Sequence, residues 1–506
     1  MRKTIIIAIL SGVFSVSALA KNPDISYTVS MANPSSHTFH IEMMCKNLKM
    51  DSAIFNLPVW TPGYYQIMDF PDRIQNIVAY EGDKKIGISK IGKNSWLVDT
   101  KKLSSLKLSY DVLTEKEFVA ESYLDEERGY IIPGALFIFP KGKLESNITI
   151  QVDKPSQWKD IATGLTEIKE NTYTAPNYDV LYDSPILIGN LKHLPSFEIK
   201  GIPHYFSGYN MGDFNEQDFM DDLKKIIEVT SNMIGDIPYE HYSFIGIGAG
   251  RGGIEHLNST TVSFSGNSLK TRDGKLKTLF FLSHEYFHHY NVKRIRPVEL
   301  GPFDYNQPNR TNMLWVSEGL SVYYEYLMVK RANLCSEEEL LKAFSNNVTA
   351  YENDPGKIYQ SLASASYETW QDGPFGQTDN KEDKGISYYQ KGPIVGLFLD
   401  FKIRHETNNQ FSLDDVMRYL YNEFYIKKNR GFTEEELREV CEKYASSNLD
   451  QFFKYIYTTE PLDYKTFLGY AGLKLNSDEN GKYQLKRMDN LTPDQQKIFD
   501  SWVSVK

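Results

Sequence analysis

The sequence predicts a multidomain α+β protein with an N-terminal β-sandwich-like domain followed by a helix-rich remainder. Its 506 residues correspond to about three domains of roughly 150 residues each. Hydrophobic residues make up 41% of the chain and charged residues 24%, a composition that excludes long disorder, collagen-like repeats and a multi-span membrane protein. Near residue 200 the spacing of hydrophobic residues changes from alternation to steps of three and four, which separates a β-rich part from a helical part.

The first twenty residues are typical of a secretion signal that is removed from the mature protein. Arg2 and Lys3 precede an apolar run over residues 5–16, and Ala18-Leu19-Ala20 matches the small-residue pattern at which signal peptidase cuts. This run is shorter than the about 20 apolar residues that a membrane-spanning helix needs. We therefore expect residues 1–20 to be a signal peptide and the product to be periplasmic or secreted, without stable membrane insertion.

Charge and cysteine content restrict the function further. The formal net charge of −10 argues against a nucleic-acid partner, because phosphate contacts need a basic face. The three cysteines, Cys45, Cys335 and Cys441, form no Cys-x-x-Cys pair, which excludes a cysteine zinc cage and a thioredoxin-type site. We expect buried thiols with at most one disulfide, and the sequence leaves open whether Cys335 and Cys441 pair.

Residues 21–195 show the alternation expected of strands in a β-rich domain. Hydrophobic residues alternate with polar ones over residues 39–45, 106–112 and 148–152. Turn formers such as Thr61-Pro62-Gly63 separate these runs. Short alternating strands divided by turns favour a β-sandwich-like domain.

A central domain is predicted over residues 196–345, where helical spacing takes over. The first helix is expected over residues 213–234, and Gly235 is a suitable stop signal. Two further helices are expected over residues 278–292 and 317–330. Both contain candidate metal-ligating residues.

Residues 346–506 are predicted to form an α-helical C-terminal domain. Helix starts are indicated by Ser336 and Thr433, because each is an N-cap residue followed by three glutamates. The segment over residues 354–384 is polar and rich in Gly, Ser and Asp, so we expect a long loop there.

The segment His284-Glu285-Tyr286-Phe287-His288 is a His-Glu-x-x-His motif on the predicted helix 278–292. Residues four apart share one helix face, so His284 and His288 can bind one metal ion while Glu285 faces a water molecule at that ion. His289 follows at a helical step of about 100°, which turns its ring away from this face. The motif therefore predicts a metal site with two histidine ligands and a glutamate base.

A catalytic zinc ion needs a third protein ligand and one open position. Glu318 is the best candidate, since it lies at the start of the next predicted helix within an aromatic-rich stretch. Glu325 falls two turns further along near the same face and is a candidate for orienting a ligand; the alternative is an ordinary solvated helix charge. A basic cluster next to the motif consists of Lys293, Arg294 and Arg296. These residues could bind the carboxylate of a peptide, but structural ion pairs are the better explanation.

Five stretches of the chain together resemble the glycyl aminopeptidase family, a relative of the aminopeptidase N group of gluzincins. Three lie in the central domain, over residues 252–260 (GGIEHLNST), 284–297 (HEYFHHYNVKRIRP) and 315–324 (WVSEGLSVYY). Two lie in the β-rich part, over residues 57–64 (LPVWTPGY) and 178–189 (YDVLYDSPILIG). The resemblance runs from about residue 25 to about residue 475.

The resemblance implies that residues 196–345 form a thermolysin-like zinc catalytic domain. It also implies one zinc ion, a peptide substrate with a free N-terminus, and removal of small first residues such as Gly or Ala. The family commonly ends in a PDZ domain, but only 33 residues follow Leu473. We therefore expect this chain to lack the usual PDZ domain.

Individual roles follow from the resemblance where the residues match. His284, His288 and Glu318 would hold the zinc ion, and Glu285 would act as general base and then as general acid. Glu255 matches the acidic residue of a Gly-x-x-Glu motif that receives the α-ammonium group of the substrate in related aminopeptidases. A carboxylate at this position disfavours blocked N-termini, because they leave it buried without a partner.

Two more features concern the substrate. Tyr389 resembles the tyrosine that gluzincin aminopeptidases place at the transition state, where a protonated phenol donates to the developing oxyanion. The alternatives are Tyr388 in the same role, or an aromatic pair in the core. Gly252 and Gly253 lack the setting of a phosphate loop, and we interpret them as letting an edge strand approach a bound peptide backbone.

The favoured function is thus an exported zinc-dependent aminopeptidase. One alternative is a zinc endopeptidase of the same fold, in which Glu255 is only structural. The other is a catalytically idle relative that binds peptides, against which the complete set of His284, Glu285, His288 and Glu318 argues. The oligomeric state and the natural substrate do not follow from the sequence.

Overall fold

A mixed α+β architecture confirms the predicted fold class. The computed structural model describes residues 25–47, 51–101, 103–374 and 384–504. The signal peptide predicted over residues 1–20 lies outside the described residues. Within them, every helix is too short or too polar to cross a membrane.

The N-terminal part is built from short strands, as the alternating pattern predicts. Two short helices interrupt them, α1 (Pro133–Leu136) and α2 (Tyr178–Tyr182). The strands are β1 (Ile25–Ser30), β2 (Thr38–Lys46), β3 (Ser52–Asn56), β4 (Ile74–Glu81), β5 (Lys84–Ile86), β6 (Ile88–Gly92), β7 (Ser95–Asp99), β8 (Ser105–Leu113), β9 (Tyr123–Leu124), β10 (Arg128–Ile131), β11 (Phe139–Pro140), β12 (Ile148–Asp153), β13 (Asp160–Thr163), β14 (Thr166–Lys169), β15 (Thr172–Ala175) and β16 (Ile186–Gly189).

These strands form three packed sheets around one hydrophobic core. In the described part of the chain the largest sheet has eight strands in the order β14-β15-β12-β1-β2-β8-β4-β5. The others have the orders β13-β16-β10-β9 and β11-β3-β7-β6. In the large sheet Ile41 pairs with Val29 on one side and with Tyr110 on the other, and all three side chains are buried. Alternation therefore places one face of the sheet in the core.

The central part begins with a second set of strands around a long helix. The helix α3 (Glu216–Ile234) follows the predicted 213–234 closely, and Gly235 ends it in the left-handed conformation with φ of 97°. The strands are β17 (Lys192–His193), β18 (Phe197–Ile199), β19 (Ile202–Gly208), β20 (Tyr242–Gly246), β21 (Gly253–Glu255) and β22 (Ser259–Val262). Their order is β17-β19-β20-β22-β21, with β18 paired to β19, so β21 is an edge strand.

Helices dominate the rest of the chain. A π-helix over Trp315–Gly319 directly precedes α5, and another over Tyr421–Lys427 follows α9. The helices are α4 (Arg272–Phe287), α5 (Leu320–Arg331), α6 (Glu337–Glu352), α7 (Leu362–Asp372), α8 (Tyr388–Glu406), α9 (Leu413–Leu420), α10 (Glu434–Ala445), α11 (Asp450–Tyr457), α12 (Tyr464–Tyr470) and α13 (Pro493–Val503). The predicted starts at Ser336 and Thr433 are confirmed, because both residues form capping boxes.

Several predicted bounds are wrong, for local reasons. The helix expected over residues 278–292 begins at Arg272, because the Thr271 side chain accepts a hydrogen bond from the Gly274 amide and caps it. It already ends at Phe287. The loop expected over residues 354–384 contains α7, which the Ser361 side chain caps by accepting a hydrogen bond from the Ser364 amide.

Two further differences concern the C-terminal region. The part predicted to be helical contains the hairpin β23 (Leu473–Ser477) and β24 (Tyr483–Arg487). The boundary placed between residues 345 and 346 falls inside α6, and one hydrophobic core extends from Leu194 to Trp502. Residues 196–345 and 346–506 therefore do not have separate cores.

The three cysteines are buried and none of them, all within the described residues, forms a disulfide. This agrees with the expectation of buried thiols. Burial raises the pKa of the Cys335 and Cys441 thiols to about 12, which keeps both groups protonated at neutral pH.

A buried carboxylate joins four helices of the C-terminal region. Asp400 on α8 accepts hydrogen bonds from Tyr323 on α5 at 2.8 Å, from Arg404 at 2.9 Å, and from the Leu413 amide at the start of α9 at 2.7 Å. Trp502 on α13 donates to the Tyr323 hydroxyl at 3.0 Å. Because Asp400 and Arg404 are fully buried, each depends on the other for its charge.

We expect Asp400→Ala to lower the free energy of unfolding by about 3–5 kcal/mol, since it leaves the Arg404 guanidinium buried without its partner. The matched control on the same helix is Glu406→Ala, which removes a partly exposed pair with Lys402 and should cost less than about 1 kcal/mol. Urea unfolding followed by circular dichroism measures both. Equal effects of the two variants would contradict the assigned role of Asp400.

Candidate metal centre

Two histidine side chains meet at the C-terminal end of α4. His284 and His288 are one helical turn apart, and their Nε2 atoms lie 2.8 Å from each other. Both residues are buried, and their rings are nearly perpendicular. Two ring nitrogens therefore face the same point, as the four-residue spacing predicts.

Glu318 supplies a third ligand atom from a different element. It lies in the π-helix over Trp315–Gly319, and its Oε2 is 3.1 Å from Nε2 of His288 and 3.6 Å from Nε2 of His284. Ligand atoms from the three residues all lie within 4.8 Å of one another. Single π turns inside helices often occur at functional sites.

This donor set fits a catalytic zinc ion. Two imidazole nitrogens and one carboxylate oxygen are a known ligand combination for catalytic zinc, and they leave a position open. The other ring nitrogens also have the partners that orient such ligands. His288 Nδ1 donates to the Asn291 carbonyl at 2.7 Å, and His284 Nδ1 lies 2.8 Å from the Glu325 carboxylate. Both Nε2 atoms are thus left to the ion.

The Glu285 carboxylate is buried beside this cluster. Burial raises its pKa to about 7 despite the neighbouring histidines, which lower it. Thr260 on β22 donates to it at 3.4 Å, and β21 passes directly over it. A Cβ atom at Gly253 would lie 2.6 Å from a Glu285 oxygen, so a side chain at this position would displace the Glu285 carboxylate. The predicted role of Gly253, to let this edge strand approach a bound peptide backbone, stays a prediction.

Glu255 lies at the other end of β21 and is also buried. Lys293 approaches it at 3.6 Å, which is too long for a hydrogen bond, and instead binds Asp183 at 2.7 Å. The Oε1 atom of Glu255 has no hydrogen-bond partner among the described residues. A buried carboxylate oxygen in this state is suited to a cationic ligand.

The structure distinguishes the two candidate tyrosines. Tyr389 lies at the start of α8 with its ring 6.1 Å from the His284 ring. Burial raises its pKa well above the ordinary value, and the charge of Glu318 raises it further, so the phenol stays protonated. The Tyr388 hydroxyl hydrogen-bonds to Thr369 at 3.0 Å in the core. Tyr389 is therefore the tyrosine beside the metal ligands.

Two site residues were missed by the sequence analysis. Tyr65, in the N-terminal domain, donates a hydrogen bond to Oε1 of Glu318 at 3.2 Å. Asn291 orients His288 through its carbonyl, and its side chain donates to the carbonyls of Val316 and Ser317 beside Glu318. The sequence could have indicated Asn291, because it lies within the HEYFHHYN stretch that contains the metal-binding motif. No local pattern in the sequence links Tyr65 to a glutamate so far along the chain.

The remaining polar residues near the motif are structural. His289 packs its ring on Tyr239, Tyr242 and Tyr286, and burial lowers its pKa well below the ordinary value. In the basic cluster, for which the sequence indicated structural ion pairs, Lys293 forms such a pair within the described residues. Lys293 pairs with Asp183, Arg294 donates to the carbonyls of Leu257, His289 and Pro238, and Arg296 lies beside Asp179.

A cavity lined by Gly252 and Gly253 opens on the metal centre. Its volume is about 790 Å³, in the range of small-molecule and peptide sites. It is lined by Gly252 and Gly253, by His284, Glu285 and Tyr389, and by the apolar side chains of α4 and α5. A second cavity of about 60 Å³ borders Glu255 and Tyr65 and shares none of these residues.

Family comparisons agree with both parts of the chain. The Peptidase M61 N-terminal domain matches residues 26–190, and the M61 glycyl aminopeptidase model matches residues 277–395. A search of curated proteins finds no match.

Solved structures with the same architecture include two peptidase-family proteins. An aminopeptidase N family protein from Idiomarina loihiensis is 26% identical with a TM-score of 0.85, over 90% of this chain and 79% of that one. A mutant M1 zinc metallopeptidase from Deinococcus radiodurans, bound to a Tyr-Ser-Ala substrate, is 13% identical with a TM-score of 0.54. The alignment covers 87% of this chain and 94% of that one, and it shows a shared fold.

We expect Glu325→Gln to weaken zinc binding by about 10- to 100-fold, because it removes the negative charge that faces His284 Nδ1. The dissociation constant is measured on metal-free protein by competition with a fluorescent chelator. Glu338→Gln, at an exposed position in the first turn of α6, is the matched control and should leave the affinity unchanged. Equal affinities of both variants and wild type would show that Glu325 does not support the ion.

Proposed function

We propose that this chain, which belongs to the M61 glycyl aminopeptidase family, releases small first residues from peptides with a free N-terminus. The chain is a metallopeptidase. The proposal includes three further points: zinc as the metal, Glu285 as the base, and export through residues 1–20. Export is supported by the charged and apolar pattern of those residues.

The observation that carries the proposal is the asymmetry of the two cavities along β21. Gly253, at the start of this strand, lines the cavity of about 790 Å³, while Glu255, at its end, borders the cavity of about 60 Å³. A peptide that lies along β21 therefore has room for several residues on one side of Glu285 and for one small residue on the other. An exopeptidase needs this arrangement, whereas an endopeptidase needs room on both sides.

The charges around the small cavity favour an ammonium group. When all are ionised, the described residues that line it carry three negative and two positive charges, from Asp179, Asp183, Glu255, Lys293 and Arg296. One negative charge is left over, and the α-ammonium group of a peptide would neutralise it. The Oε1 atom of Glu255, which accepts no hydrogen bond from the described residues and has Lys293 Nζ at 3.6 Å, is the natural acceptor for that group.

The small cavity also supports a preference for a small first residue. Its volume of about 60 Å³, against about 790 Å³ for the cavity at the other end of β21, favours a small first side chain. Trp60, Leu300 and Phe303 form its apolar walls. Gly or Ala in the first position would fill it without moving these side chains, which are part of the packed interface between the two domains.

The catalytic roles follow from the residues around the ion. Zinc held by His284, His288 and Glu318 would supply a Lewis acid that polarises the scissile carbonyl and activates water. Glu285 would remove a proton from a water molecule and deliver it to the leaving amine, and a pKa raised to about 7 suits both steps. Tyr389 donates a hydrogen bond to the carbonyl oxygen as it gains charge. The free edge of β21 pairs with the peptide backbone.

We expect Glu255→Gln to reduce kcat/KM for Gly- and Ala-amide fluorophores by at least about 100-fold, because the ammonium group loses its buried counter-charge. Wild type should not cleave the same peptides after N-acetylation. Glu167→Gln, an exposed position on β14, is the matched control and should behave like wild type. Cleavage of acetylated and free peptides at equal rates would favour the endopeptidase and overturn the exopeptidase assignment.

A further inference from the structure

A turn of the N-terminal domain reaches the metal centre. Thr61-Pro62-Gly63-Tyr64 closes with a hydrogen bond from the Tyr64 amide to the Thr61 carbonyl at 3.1 Å. Gly63 has a φ of 86°, as the third position of a type II turn requires. The turn reverses the chain sharply and brings Tyr65 to the boundary between the two hydrophobic cores, where it packs against both.

The residues just before the turn, Val59 and Trp60, fix its position through hydrogen bonds to the catalytic part of the chain. The Val59 amide donates to the Tyr305 carbonyl and the Trp60 indole donates to the Asp304 carbonyl, each at 2.9 Å. The Trp60 ring is fully buried and lies 5.3 Å from the ring of Trp370 on α7. These contacts tie the turn to the catalytic part of the chain, so its position relative to the ligands is set.

The tip of the turn fits closely against β21. A Cβ atom at Gly63 would lie 2.6 Å from a methyl group of Ile254 and 2.9 Å from an oxygen of Glu255. Both distances are shorter than normal contacts, so the turn backbone at Gly63 lies against the side chains of Ile254 and Glu255 with no room for a side chain of its own. The ammonium-binding carboxylate of the proposed function is thereby covered by the N-terminal domain.

The two carboxylate oxygens of Glu318 have different neighbours. Oε2 faces the Nε2 atoms of His288 and His284, at 3.1 and 3.6 Å. Oε1 accepts the hydrogen bond of the Tyr65 hydroxyl at 3.2 Å. A carboxylate held through one oxygen presents the other to an ion in a single orientation. Glu318 is 2% exposed, so this hydrogen bond lies away from bulk solvent.

We propose that Tyr65 is a positioning residue for the zinc site, which holds Oε1 of Glu318 so that Oε2 is directed at the ion. The N-terminal β-domain thus completes a metal site whose ligands all belong to the catalytic part of the chain. This inference rests on the zinc site of the proposed function. Tyr389 lies on the other element that approaches Glu318, so the loss of Tyr65 should weaken the site without abolishing it.

The test measures zinc affinity on metal-free protein by chelator competition. Tyr65→Phe removes one oxygen atom and keeps the ring that packs against Trp370. We expect about tenfold weaker zinc binding, the lower end of the effect of losing a group that orients a metal ligand. Tyr64→Phe is the matched control, because its hydroxyl donates to Gln66 at 3.1 Å instead, and it should bind zinc like wild type.

A double-mutant cycle with Glu318→Gln shows whether Tyr65 acts through Glu318. If it does, Tyr65→Phe should change zinc affinity much less in the Glu318→Gln background than in wild type. Equal zinc affinity of Tyr65→Phe, Tyr64→Phe and wild type would overturn the proposal. So would a full tenfold loss that persists in the Glu318→Gln background, because Tyr65 would then act independently of that carboxylate.

Two further measurements keep the outcomes separate. Circular dichroism of the metal-free variants checks folding, and if Tyr65→Phe does not fold, Tyr65→His replaces it. The ring N–H of the histidine still donates, so the zinc affinity of Tyr65→His should exceed that of Tyr65→Leu, which has no donor. Equal affinities of these two variants would overturn the proposal.

Wild type that binds no zinc would instead refute the zinc site of the proposed function. Wild type that binds zinc but cleaves no aminoacyl amide would refute the activity and leave the role of Tyr65 standing.

Discussion

Buried negative charge is the constraint on which the catalytic half of this molecule depends. Glu255, Glu285, Glu318 and Glu325 are all largely shielded from water around two histidines. Removing one carboxylate from water costs several kcal/mol unless a cation or hydrogen-bond donors compensate. The cluster therefore favours positive charge at its centre, and His284, His288 and Glu318 would hold a metal ion there, because their ligand atoms all lie within 4.8 Å of one another.

The surrounding fold can be understood as the means of holding these charges apart and in place. The helix α4 brings the two histidines together, the π-helix before α5 turns Glu318 towards them, and Asn291 links both segments through hydrogen bonds. The edge strand β21 contains Glu255, and a side chain at its position 253 would displace the Glu285 carboxylate. The charge cluster and the peptide path thus depend on the same few backbone segments.

The sequence predicted what local geometry determines. The four-residue spacing of His284 and His288 sets their common helix face, and the alternation over residues 106–112 sets the buried face of β8, because both follow from the repeat of one element. Capping residues such as Ser336 and Thr433 gave correct helix starts for the same reason. The mixed α+β class followed from the change of period near residue 200.

What the sequence did not predict depends on contacts between distant parts of the chain. Tyr65 and Glu318 are 253 positions apart, and only the docking of the β-domain brings them together. The π turn at Glu318 is a small local change that hydrophobic spacing does not reveal. The boundary predicted between residues 345 and 346 falls inside α6, and helices on both sides of it bury their apolar faces in one core, which composition along the chain does not show.

The central claim is that Glu285 performs proton transfer at a metal held by other residues. The most direct measurement is zinc content together with hydrolysis of aminoacyl-amide fluorophores, for wild type and Glu285→Gln. The account predicts one zinc ion per chain in both proteins and a kcat that falls by about 10²- to 10⁴-fold in the variant. Unchanged activity of Glu285→Gln with zinc still bound would contradict it.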